Sequence, residues 1–221
     1  MNRIFNPDGR FFSILNRMAD LMWLNILYII CCIPVFTIGP ATTALFYVTM
    51  KMVKDEESYI TRSYFKSFKE NFKQGVMLWL IVLAAGIVII VDLGVLTGSV
   101  SSQDLPVSDI AAKIITTIMM IIGILYLFTV TYIFPLLAKF DNTVKNTIKN
   151  AFLMSIINFP STVVLLLIPV LAVVLMYFIN QLITLILILT LSLIAYIGSH
   201  TYVKVFEKYI PSDEVSSEEC K

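Results

Sequence analysis

The chain reads as an all-α protein, a polytopic transmembrane helical bundle, on three observations. Asn150 to Val203 is a run of 54 residues without Asp, Glu, Lys or Arg. One bilayer crossing takes about 20 apolar residues, so this run is long enough to cross twice. The composition agrees: 58% hydrophobic, 14% charged, with a mean hydropathy of +0.88, where a soluble domain is about 25% charged. Finally, Lys and Arg are confined to alternate connections between the apolar stretches. This balance excludes a disordered chain and argues against a soluble enzyme. A net charge of +1 offers no bulk attraction for nucleic acid.

The first apolar stretch, Leu21 to Met50, holds 30 uncharged residues. A continuous helix of that length would be about 45 Å long, against a hydrocarbon core of about 30 Å. Pro34, Gly39 and Pro40 interrupt it, because proline cannot donate a backbone hydrogen bond and glycine tolerates unusual dihedrals. The stretch is therefore either a hairpin with arms at about 21–38 and 41–53, or one tilted span followed by a short helix. Asn6-Pro7-Asp8-Gly9 reads as a turn, and with Arg10 and Arg17 it argues against a cleaved secretory signal.

Further embedded segments follow at about 75–96, 114–138, 161–179 and 182–199. The last two are separated at Asn180-Gln181, the adjacent polar pair well inside that uncharged run. Segments 51–74 and 139–159 are polar connections. The first carries Lys51, Lys54, Arg62, Lys66, Lys69 and Lys73, and the second Lys139, Lys145 and Lys149. Connection 97–109 and the 180–181 turn carry no basic residue, whereas the tail carries Lys204, Lys208 and Lys221. Basic connections face the cytoplasm, which places 51–74, 139–159 and the C-terminus there. Arg3, Arg10 and Arg17 bring the N-terminus to the same side. Both ends of the first stretch then face one way, which favours the hairpin and about six embedded segments. Five spans with an outside N-terminus is the alternative.

Both cytoplasmic connections predict amphipathic helices. In 59–74, Phe65, Phe68 and Phe72 recur at helical spacing beside Arg62, Lys66, Lys69 and Lys73, and Asp55-Glu56-Glu57 suits the helix start. In 142–157, Val144, Ile148, Ala151 or Phe152, and Ser155 or Ile156 trace a face beside Lys145 and Lys149, with Asp141 or Asn142 as cap. Such helices lie in the membrane interface or dock a partner. Segment 59–74 is the candidate lipid or partner contact, and a twofold internal repeat is compatible with the two arrangements.

Polar residues inside apolar segments are candidate intramembrane sites: Asn25, Asp92, Asn180 and Gln181. Arg17 and Asp20 are three apart on a helix, where an ion pair is expected. The lone His200 has no acid or nucleophile that the sequence assigns to it. Cys31, Cys32 and Cys220 form no metal-ligand spacing. No catalytic set, metal site or cofactor is expected, and the chain is read as no enzyme.

The strings Phe5-Asn6-Pro7-Asp8-Gly9, Asn16-Arg17-Met18-Ala19-Asp20, Pro34-Val35-Phe36-Thr37-Ile38-Gly39-Pro40-Ala41-Thr42-Thr43-Ala44-Leu45, Asp55-Glu56-Glu57 and Phe65-Lys66-Ser67-Phe68-Lys69-Glu70-Asn71-Phe72-Lys73-Gln74 together resemble the YesL-like family of bacterial integral membrane proteins. The resemblance implies a multi-pass protein of the bacterial cell membrane without an assigned activity. It also implies an association with carbohydrate uptake and its sensor-regulator systems. The functional expectation is an accessory or regulatory membrane protein, its partners the lipid bilayer and an ABC importer permease or a sensor kinase. A small transporter or channel is the alternative, in which Asn25, Asp92, Asn180 and Gln181 would converge on a cavity. An integral-membrane enzyme ranks third.

Overall fold

The computed structural model describes residues 10–56, 59–96, 109–178 and 183–209, and among them all regular structure is helical. The helices are α1 (Arg10–Cys32), α2 (Ile38–Val53), α3 (Ile60–Glu70), α4 (Phe72–Leu96), α5 (Asp109–Lys139), α6 (Val144–Ile157), α7 (Phe159–Phe178) and α8 (Ile183–Phe206). Short 3-10 turns at Val35–Thr37 and Glu207–Tyr209 complete the described chain.

Small residues decide the architecture. Gly39, Ala41, Thr43 and Ala44 let other backbones approach α2, and α1, α3, α4, α5 and α8 all pack on it. Threonine can be buried here because Thr42, Thr43 and Thr49 donate to the carbonyls of Ile38, Gly39 and Leu45, at 2.7, 3.0 and 3.0 Å. Thr49 Oγ1 also meets Ser199 Oγ at 2.8 Å, joining α2 to α8. The closest approach is to α4. A Cβ on Gly39 would stand 2.2 Å from the Gly75 carbonyl oxygen and 2.7 Å from Trp79 Cβ, and one on Gly75 would stand 2.8 Å from the Pro40 nitrogen. Neither position has room for a side chain.

The interruption in the first apolar stretch is a hairpin. Helix α1 ends at Cys32, Pro34 has extended backbone, and the 3-10 turn leads into α2. Thr37 Oγ1 closes the corner on the Cys31 and Pro34 carbonyls, at 2.5 and 2.6 Å. Gly39 and Pro40 lie within the first turn of α2, where the missing proline N–H costs nothing. The arms run antiparallel, as Tyr28 with Thr42 shows (3.3 Å). Helices α4 and α5 form a second antiparallel pair: Trp79 lies against Phe134, Gly86 against Tyr126, and Ile89 against Gly123. Tyr126 donates to the Val82 carbonyl at 2.8 Å. A Cβ on Gly86 would come within 2.8 Å of the Tyr126 hydroxyl oxygen, so the glycine keeps that path open.

Pro135 sits inside α5, and its lack of an N–H leaves the Thr131 carbonyl without its helical partner. The hydroxyl of Tyr202, from α8, donates to that oxygen at 2.7 Å. Tyr202 is 3% exposed and packs edge-on to Phe46 and Tyr132 and against Phe206. One tyrosine thus repairs a proline defect and joins α2, α5 and α8.

Among the described residues three helical stretches are long and apolar enough to cross a membrane: Ile14–Cys32, Phe72–Val95 and Lys113–Lys139. Val144–Ile157 with Phe159–Val174 passes as a pair, bent by 99°, and counting it makes four. The second hairpin arm, α2, has 16 residues, about 24 Å of helix, and its backbone is shielded by protein. The Asn180-Gln181 turn lies outside the described residues.

Tyr202→Phe should lower stability in detergent by about 1–2 kcal/mol, because a buried carbonyl loses its donor. In a Pro135→Ala background, where residue 135 regains an N–H, the same change should cost clearly less. Thermal unfolding of the four-variant cycle measures this. Equal costs in both backgrounds would refute the link between tyrosine and proline.

Candidate functional site

Helix α3 is fixed by the face that sequence periodicity passed over. Ser63, Tyr64 and Ser67 are buried. Tyr64 is fully enclosed, its hydroxyl 3.5 Å from the Ala41 carbonyl. Burial, with Cys31 alongside, pushes the Tyr64 phenol above its ordinary range, so it remains a neutral donor. Trp23 of α1 donates to Thr61 at 2.9 Å. Asn71 closes the helix by donating to the Ser67 carbonyl at 3.1 Å, and α4 starts at the next residue.

With that face turned in, Arg62, Lys66, Lys69 and Lys73 are exposed. The three phenylalanines do not form one outward face. Phe65 is 38% exposed. Phe68 is half-buried, stacked on Tyr64 at 6.3 Å and edge-on to the half-buried Phe72 at 5.6 Å. The outward surface of α3 is therefore mainly cationic, with Phe65 as its one exposed phenylalanine. Lys69, Glu70, Phe72, Lys73 and Gln74 border an open recess at the α3–α4 junction.

At one end of the α1–α2 hairpin Arg17 makes a polar clasp. It pairs with Asp55 after α2, rather than with Asp20 as helical spacing predicted. It also donates to the Tyr196 hydroxyl of α8 at 2.8 Å and lies over that ring. A tertiary partner wins because the chain reversal after α2 delivers a carboxylate at the end of the guanidinium's reach. Asp55 has φ 55°. It occupies the position after the helix cap that glycine usually takes, with Glu56 N–H bonded back to the Lys51 carbonyl at 3.1 Å. Lys54 and Glu207 add a weak tie at 3.7 Å. His200 is exposed, its ring against Tyr196.

Helix α6 starts from Thr143 rather than from Asp141 or Asn142, and the Thr143 side chain makes no capping bond. Its first turn is instead held by Thr147, whose N–H and hydroxyl both bond the Thr143 carbonyl, at 2.8 and 3.1 Å. Thr147, Ala151 and Ser155 are buried, while Lys145, Lys149, Phe152 and Ile156 are exposed. Asn158 marks the bend into α7 by donating to the Met154 carbonyl (3.2 Å) and to Tyr209 (3.0 Å). Asn71 and Asn158 thus end two short helices with the same side-chain bond.

The polar intramembrane candidates divide. Asn25 is fully buried on α1, which packs on α2, α3 and α8. Asp92 is half-exposed near the end of α4, which pairs with α5. They belong to different helix pairs, and Asn180 and Gln181 lie outside the described residues. Among the described residues no group of three His, Cys, Asp or Glu side chains could hold a metal. Sequence reasoning missed Tyr64, Tyr126 and Tyr202, whose hydroxyls address carbonyls of neighbouring helices. The available signal was a tyrosine inside an apolar segment, whose hydroxyl needs a partner.

Among the described residues these features define an all-helical protein with several helices long and apolar enough to cross a membrane. Residues 21–93 match the family model described as "Protein of unknown function, DUF624". The chain is 25% identical over 153 residues to "Uncharacterized protein YesL" of Bacillus subtilis (strain 168), covering 69% of this chain and 68% of that protein. It is 27% identical over 150 residues to "Uncharacterized protein YteU" of the same strain, covering 66% and 63%. Residues 21–93 carry the likeness to this family of unknown function, and the chain is a distant homologue of both relatives. No solved structure matches it.

Asp55→Ala should be less stable than Asp55→Gly by about 1 kcal/mol, since both lose the Arg17 pair but only alanine keeps the left-handed strain. The pair itself is solvent-screened, with Asp55 77% exposed, and adds little. Equal unfolding temperatures for the two variants would contradict the strain.

Proposed function

We propose that this protein is an accessory or regulatory subunit of the bacterial cell membrane, multi-pass with both termini in the cytoplasm. It works beside a carbohydrate ABC importer or a sensor kinase. The observation that supports this most is the outward face of α3. Arg62, Lys66 and Lys69 stand exposed on a helix anchored by Tyr64, and Lys73 is exposed just beyond it at the start of α4, a surface suited to an acidic segment of a neighbouring membrane protein. Phe65 offers that segment an apolar contact, and the recess beside Lys69 and Lys73 an edge. The placement of α3 and α6 in the cytoplasm rests on their lysines, and the number of embedded segments in this reading is six. A transporter reading draws less support, because Asn25 and Asp92 sit in different helix pairs.

Replacing Lys66, Lys69 and Lys73 with Glu should abolish recovery of the importer permease or kinase in mild detergent, with the unfolding temperature unchanged. The changed side chains are exposed, so the fold should tolerate them. Mass spectrometry of the co-purified material reads the result. Undiminished recovery of such a partner, or its absence from the parent sample, counts against the proposal.

Orientation is tested separately. A reporter fused before Arg10 should be active on the cytoplasmic side, as should one after Lys221. An extracytoplasmic N-terminal reporter would contradict the six-segment topology with both termini inside.

A further inference from the structure

The two short helices look alike in sequence, yet they turn different chemistry outwards. On α6 one stripe runs Lys145, Lys149, Phe152, Ile156, at spacings of four, three and four. It is cationic in the first half of the helix and apolar in the second. Leu153 and Ile157 widen the apolar half, at 51% and 59% exposure. Helix α6 contains no acidic residue, and its small face is spent on packing against α5. Its axis turns by 99° into α7.

We infer that α6 is an in-plane anchor that binds anionic lipid, with Lys145 and Lys149 on the headgroup phosphates and Phe152, Leu153, Ile156 and Ile157 among the acyl chains. The bend carries the argument about orientation. If α7 runs along the membrane normal, a helix at 99° to it lies in the membrane plane. Charge selects the lipid. Two exposed lysines without a neighbouring carboxylate on their own helix favour an anionic surface, each by about five-fold. An acidic protein segment would match the lysines, but would leave four large apolar side chains in water beside them. This anchor is independent of the partner reading of α3.

Hydrogen–deuterium exchange of residues 144–157, on the full chain in nanodiscs, tests it. Exchange should be slower when phosphatidylglycerol is mixed into phosphatidylcholine than in phosphatidylcholine alone, by up to roughly twenty-five-fold for the pair of lysines. Raising the salt to about 0.5 M should shrink the difference. Lys145→Gln with Lys149→Gln should abolish the difference and leave the unfolding temperature unchanged. Leu153→Ser with Ile157→Ser should speed exchange in both lipids. Identical exchange in the two lipids, or an anionic preference that survives the double Gln change, would overturn the site.

Discussion

The structure depends on the contact between Gly39 and Gly75. Lipid tails are as apolar as leucine, so helices in a membrane gain little from hiding hydrophobic residues from one another. Close backbone packing then becomes a main source of specificity, and it needs places without a Cβ. At Gly39 the α4 backbone comes so near that a methyl group would overlap the Gly75 carbonyl. From that crossing α2 is held among five neighbours, and its threonines satisfy their own hydroxyls within the helix. The bundle is organised around a helix whose buried positions include Gly39, Ala41, Thr43, Ala44 and Thr49, while many large apolar residues of the surrounding helices face outward.

Tyrosine supplies the second layer of order. Tyr126 and Tyr202 each reach a carbonyl on a neighbouring helix, and Tyr64 approaches one on α2. Each combines a ring that packs in an apolar setting with a hydroxyl that needs a polar partner. At Tyr202 the need is mutual, because Pro135 has withdrawn the helical donor from Thr131. Such bonds are directional where apolar packing is not, so they set rotation and register between helices that would otherwise slide.

The class of fold was legible because charge is expensive in hydrocarbon, and the run from Asn150 to Val203 advertises that cost. The hairpin at Pro34 was legible for an equally local reason, the loss of a backbone donor. Side-chain orientation was not. Periodicity assigned the Phe65, Phe68 and Phe72 stripe to one contact face, whereas Ser63, Tyr64 and Ser67 turn inward. A hydrophobic pattern locates the protein interior only when the alternative is water. Beside lipid, small residues pack inward and bulky ones can remain outside. Arg17 shows the same limit in electrostatics. Helical spacing offered Asp20, but the partner it takes, Asp55, comes from a chain reversal that the spacing does not encode.

The Thr49–Ser199 bond has a consequence for biosynthesis. The two residues are 150 positions apart, so the helix that occupies the middle of the bundle is made early and covered late. At ordinary rates of synthesis the ribosome needs roughly 8 to 30 s to travel from one to the other. During that interval the small face of α2 meets lipid, insertion machinery or a chaperone instead of α8. The nascent chain therefore passes through a half-built stage with an open seam along α2, and the last helix closes it.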